Sequence, residues 1–153
     1  MEQRTRTAWV IFAQDPASLK EIRMAKIERY CAPGVFDPPT YSQGVKVTGA
    51  QTILFLAGQV AYDDKGQPAH RGDVAAQARE AYRAIKAQVE AGGGTMASIV
   101  KINTYLTDIR HRQELIPVRE EFFGKKGPAS TLVAVAALAH PDWLIEVEAI
   151  AVI

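Results

Sequence analysis

LIEVEAIAVI, residues 144–153, is the stretch on which the fold turns. It is apolar throughout except at Glu146 and Glu148, and its β-branched content marks a strand. In a strand the side chains alternate, so Glu146 and Glu148 share one face with Ile150 and Val152, while the other face is wholly apolar. STLVAVAAL, residues 130–138, precedes it across the turn AHPDW and is apolar on both faces. Strands of this kind have to be covered on both sides.

Working back along the chain, residues 111–123 predict a helix that buries Leu115, Val118, Phe122 and Phe123, preceded by the strand SIVKINTYLTD. A longer helix starts at Asp73 as N-cap, with Val74, Ala78, Ala81, Tyr82, Ile85 and Val89 in one apolar stripe. The run Gly92–Gly94 follows its last turn, which makes it a helix end and not a phosphate loop. YSQGVKVTG and TILFLAGQVAY read as a hairpin closed by GAQ, and KIERYC as a further strand before the proline-rich loop APGVFDPPT. The order β-β-β-α-β-α-β-β predicts an α+β fold with a mixed sheet and two helices on one face. The uncovered apolar face then calls for other copies of the same chain, a closed homo-oligomer.

With 153 residues the chain matches one domain, and its 48% hydrophobic and 23% charged residues are those of an ordinary globular protein. A net charge of +1 supplies no attraction for nucleic acid or an anionic membrane surface. The single cysteine, Cys31, is expected as a small buried hydrophobe in a reducing compartment. AWVIFA is too short for an export signal, and no window is long enough for a membrane span, so a cytoplasmic protein is expected. Residues 1–23 fit the rest poorly and are expected either as an N-terminal extension outside the core fold or as an extra strand and short helix packed on it, with residues 24–153 forming the domain.

Candidate chemistry is sparse. Glu146 and Glu148 are carboxylates on an apolar strand and candidate bases; the structural alternative is that both pair with Lys or Arg of a neighbouring subunit and only hold an assembly together. His70, His111 and His140 stand apart without metal-ligand spacing, so no metal is expected. Ser130 lacks the glycine-flanked elbow of a hydrolase nucleophile, and no phosphate or dinucleotide loop is present.

PPTYSQGVKV, LFLAGQVAYDDKG, DVAAQAREAYRAIKAQVEAGGGTMASIVKINTYLTD, EEFFGKKGPAST and LIEVEAIAVI together resemble the RidA/YjgF family of imine and enamine deaminases, from about Pro38 to Val152. The resemblance implies a chorismate-mutase-like fold and a homotrimer with an inner β-barrel and ligand clefts between subunits. It implies hydrolysis of a carboxylate-bearing imine or enamine with release of ammonia and without a cofactor, the partner being a small-molecule carboxylate. Carried over, the water-holding glutamate is Glu146, the cleft tyrosine Tyr41 and the cleft glycine Gly58. The family's carboxylate-gripping arginine is replaced by Ser130, and a helix position that is often asparagine is Ile116. Serine offers one hydroxyl where arginine offers a charged planar fork. Arg119, one turn beyond Ile116 on the same helix face, is expected to replace the lost guanidinium; its alternative is a surface arginine paired with Glu120 or Glu121. Lys125 and Lys126 are further cations. Two functions remain open: a deaminase, nearer in use to the 2-aminomuconate deaminases of the family, or a non-catalytic trimer that binds small carboxylates or protein partners.

Overall fold

A computed structural model of the protein describes residues 25–153. The expected extension, residues 1–23, lies outside the described residues. Six strands and two helices follow in order: β1 Lys26–Tyr30, β2 Gly44–Thr48, β3 Ile53–Gln59, α1 Val74–Ala91, β4 Ile99–Leu106, α2 Arg112–Phe123, β5 Ala129–Ala134 and β6 Ile145–Val152. The main sheet has the order β3-β6-β4-β5, with β4 and β5 parallel and the other pairs antiparallel. This is the expected α+β class, a mixed sheet with two helices.

Strand β6 lies inside the sheet, as its apolar composition requires. Ile145, Val147, Ala149 and Ala151 are buried beneath the helices, while Glu146, Glu148 and Ile150 alternate onto the opposite face and are half-buried. Asp73 caps α1 by accepting from the Ala76 N–H at 2.9 Å, and every residue of the predicted stripe is buried. Each fully buried Val or Ile in that layer contributes about 1.5–3 kcal/mol. Phe122 and Phe123 of α2 pack on the Tyr82 ring at centroid distances of 5.2 and 5.6 Å, which joins the two helices.

The predicted hairpin of YSQGVKVTG with TILFLAGQVAY does not form. Strand β2 turns back onto β1, whereas β3 pairs with β6. The stretch read as a tight turn is held elsewhere: the Gln51 and Thr52 N–H groups both donate to the Ile153 carbonyl, at 2.7 and 3.1 Å. Gly49, at φ +75°, supplies the left-handed residue that lets the chain leave β2 for the other sheet. Strand β5 is also shorter than expected. It ends at Ala134, and as the sheet edge it is only partly covered. Cys31 is half-buried, not buried, with its thiol 3.3 Å from the Val35 carbonyl. No helix among the described residues is long and apolar enough to cross a membrane.

Two long loops are tied together by one side chain. Gln77 of α1, fully buried, donates to the carbonyls of Ala69, His70 and Asp142 and accepts from the Leu144 N–H at 2.8 Å. Removing that amide orphans several buried groups at once, each worth about 1–3 kcal/mol. Gln77→Ala is therefore expected to lower the unfolding free energy by about 3 kcal/mol in urea titration; a loss under about 1 kcal/mol would show that water takes over these bonds.

Candidate functional site

The segment before β2 is pinned alongside the start of β5. Ser42 donates through its hydroxyl to the Gly127 carbonyl at 2.8 Å and through its N–H to the Pro128 carbonyl at 3.3 Å, and it bridges Ala129 in parallel register. Thr40 and Tyr41 thereby form one wall of a cavity of about 50 Å³ whose other walls are Leu132 of β5 and the α2 face of Arg112, Ile116 and Arg119.

Arg119 forms the cavity's polar floor. It is 7% exposed, and its Nη1 donates to the Ser130 hydroxyl at 2.8 Å. Its Nε and Nη2 are buried and have no hydrogen-bond partner among the described residues. The surface alternative does not describe it, because Glu120 is exposed and Glu121 is occupied by a two-pronged pair with Arg79 at 2.8–3.2 Å. Behind the guanidinium lies Tyr82, whose phenol is pushed above its ordinary pKa by burial, with the Arg119 charge opposing that rise. Among the described residues the hydroxyls of Tyr82 and Thr104 are also without hydrogen-bond partners, and no carboxylate pairs with Arg119. A buried cation in that setting is costly unless an anion arrives.

A second cluster stands on the open face of the sheet. The Glu146 carboxylate lies against Gly58, so closely that a Cβ built on Gly58 would stand 1.8 Å from Glu146 Oε1. Only glycine leaves room for the carboxylate there. Next along β6, Glu148 accepts on one oxygen from Asn103 Nδ2 at 2.7 Å and from the Tyr105 hydroxyl at 2.9 Å. That hydrogen bond, and then burial, holds the Tyr105 phenol above its usual pKa, so it remains a donor. Phe55, Lys101, Asn103, Glu148 and Ile150 line a larger cavity of about 380 Å³ on this face, and Ile53, Phe55 and Val133 are exposed beside it.

The expected site residues thus fall into two groups. Tyr41, Ile116 and Arg119 line one cavity, Ser130 is bonded to Arg119 without lining it, and Gly58 meets Glu146. The sheet separates the groups: Ser130 is registered with Ile102, which is buried under the helices, whereas Glu146 is registered with Tyr105 on the open face. Lys126 is taken up by Asp37 and the Pro38 carbonyl, and Lys125 is exposed; neither lines the cavity. Asn103 and Tyr105 went unremarked in the sequence, although the alternation of KINTYL already places Lys101, Asn103 and Tyr105 on one face. Thr40 and Arg112 carried no such signal. Among the described residues no cluster of His, Cys, Asp or Glu could hold a metal ion.

Comparison with known proteins identifies relatives of the chain. The family profile described as Endoribonuclease L-PSP matches residues 37–153. A RutC family protein of Pyrococcus horikoshii is 39% identical over 111 residues, 72% of this chain and 85% of that protein. A 2-iminobutanoate/2-iminopropanoate deaminase of Dermatophagoides farinae is 32% identical over 113 residues, 74% of this chain and 85% of that one. Among solved structures, a conserved Rid-family protein of Yersinia pestis superposes with a TM-score of 0.75 at 26% identity, over 83% of this chain and 98% of its own. On the extent of these matches, the chain belongs to the Endoribonuclease L-PSP family, which also carries the names YjgF, RidA and RutC.

Proposed function

We propose that the protein is a deaminase-type hydrolase that converts a carboxylate-bearing imine or enamine to the 2-oxo acid and ammonia. The observation that carries this reading is the Arg119–Ser130 pair: a buried guanidinium with two donor nitrogens unpartnered among the described residues, beside a small cavity and bonded to the side chain that stands at the family's carboxylate-binding position. The arginine is supplied by the helix, and the serine at the vacated position holds it in place.

The chemistry follows from these groups. An enamine first takes a proton on carbon to give the imine, which on protonation at nitrogen is already electrophilic, so water is the only co-reactant required. Glu146 holds a water molecule and accepts its proton as the new C–O bond forms at the imine carbon. The resulting carbinolamine is protonated on nitrogen, its C–N bond breaks, and ammonia departs as the hydroxyl loses its proton to give the carbonyl. Arg119 binds the substrate carboxylate throughout, and Tyr41 covers the bound acid.

Glu146 and Arg119 of one chain face opposite sides of the sheet, so a complete site needs two copies, each giving one half. The exposed apolar face of Ile53, Phe55 and Val133 beside Glu146 supports an assembly in which another copy covers it, and a closed homotrimer is the form proposed. The test is complementation. Wild-type protein is expected to release ammonia from 2-aminoacrylate made in situ, and Glu146→Gln and Arg119→Gln singly to release little. Equal mixtures refolded together should regain about a quarter of the wild-type rate, the fraction of interfaces that random assembly leaves intact on both sides. A mixture no better than its parts would place the site within one chain. Ammonia release absent from the wild type, with carboxylates still bound, would leave a binding protein in place of an enzyme. RNA cleavage, which the family description suggests, gains no support from a net charge of +1.

A further inference from the structure

We propose that a groove beside β1, at the end of β6, is the seat of this chain's own N-terminal segment, with the apolar run AWVIFA, residues 8–13, as the part that fills it. The groove has a volume of about 380 Å³ and is lined by Ile27, Val152 and Ile153 on one hand and by the small residues Gly93, Gly94 and Ala97 on the other. Ile153 is pinned by its main chain, whose N–H donates to the Thr52 carbonyl at 3.0 Å and whose carbonyl accepts from Gln51 and Thr52. Its side chain rests against Gly93, with Cδ1 3.9 Å from where a Cβ on that glycine would stand. Ile27 and Ile153 stay half-buried, and Gly93 and Ala97 are exposed. The groove is thus apolar, held in shape by backbone bonds, and open.

The occupant follows from where the chain enters. Ala25, the first described residue, lines the groove itself, so residues 1–24 depart from its edge. Ala25, Ile27 and Arg29 are alternate residues, which turns one face of β1 toward the space. Among the described residues β1 pairs only with β2, in a two-stranded sheet separate from the main one. Such a pair is marginal in water unless something packs on its face. The N-terminal segment offers Trp9, Val10, Ile11 and Phe12 in succession, a run that is an aggregation liability when left in water. Residues 13–24 connect that run to Ala25 and reach at most about 40 Å, and Asp15-Pro16 supplies turn chemistry for bringing it back. A tether of this length gives an effective concentration of about millimolar order, so modest contacts suffice. Glu146 lies about 20 Å along β6 from Val152, and the docking is therefore independent of the proposed chemistry.

Acrylamide quenching of the full chain carrying Trp143→Phe tests this, because Trp9 is then its only indole; the difference between wild type and Trp9→Ala reads the same quantity with Trp143 intact. Docking should hold the Trp9 quenching constant at least about three-fold below that of free N-acetyltryptophanamide. Ala97→Glu, which puts a charge into the groove from an exposed position, should remove most of that protection, and Ile27→Asp should do the same. Val35→Glu, on an exposed loop that does not line the groove, should leave it intact. Quenching equal to that of the free indole before any groove change, protection that survives both groove variants, or an equal loss with Val35→Glu would each overturn the proposal. So would protection regained when the Ala97→Glu reporter is refolded with an excess of chain carrying Trp9→Ala and Trp143→Phe, since the intact groove of one copy would then be taking the segment of another.

Discussion

Glu146→Gln is expected to lower ammonia release by about a hundredfold to ten-thousandfold, the usual worth of a positioned general base, while carboxylate affinity stays within about two-fold. The amide keeps the shape of the side chain but cannot accept a proton from water, so binding and catalysis separate. Gly58→Ala supplies the companion result. Its methyl would stand 1.8 Å from Glu146 Oε1, and since that oxygen ends a flexible side chain, the protein should fold while the carboxylate swings away. Activity should fall nearly as far as in Glu146→Gln, with unfolding free energy little changed. Near-normal turnover in either variant would show that Glu146 does not activate the water.

Arg119→Met is expected to do two opposite things: abolish carboxylate binding and raise the unfolding free energy by about 1–3 kcal/mol. A buried charge without a counter-ion has lost its hydration and gained only the Ser130 hydroxyl in return, and replacing such groups by apolar side chains of similar volume is often stabilising. Part of the gain is offset by leaving Ser130 Oγ without its donor, about 1 kcal/mol. Urea unfolding at fixed protein concentration, beside a carboxylate titration, reads both effects. Destabilisation would identify Arg119 as a structural residue and remove the anchor from the proposed mechanism.

The layers of this fold were legible because they follow from periodicity. The α1 stripe and the alternation around Glu146 each need a buried side, and each found it. Strand pairing was not legible in the same way. GAQ between two strand-like runs satisfies the local requirements of a hairpin, and nothing local says that Gln51 and Thr52 will find Ile153, about a hundred residues away. The α2 face shows the same division: a spacing of three predicted that Arg119 shares a side with Ile116, but the buried depth of the guanidinium and its bond to Ser130 depend on tertiary packing. The missing arginine at Ser130 was visible in the sequence as a departure. That the serine would receive a guanidinium from another element required the fold.

Gln77 carries an implication for how this chain can change over time. Because a single amide holds Ala69 and His70 on one loop and Asp142 and Leu144 on another, neither loop is free to gain or lose a residue without pulling its carbonyls off the shared anchor. Insertions that ordinary surface loops absorb would here have to leave residues 69–70 and 142–144 beside Gln77, so each connection can vary only away from its own anchor point.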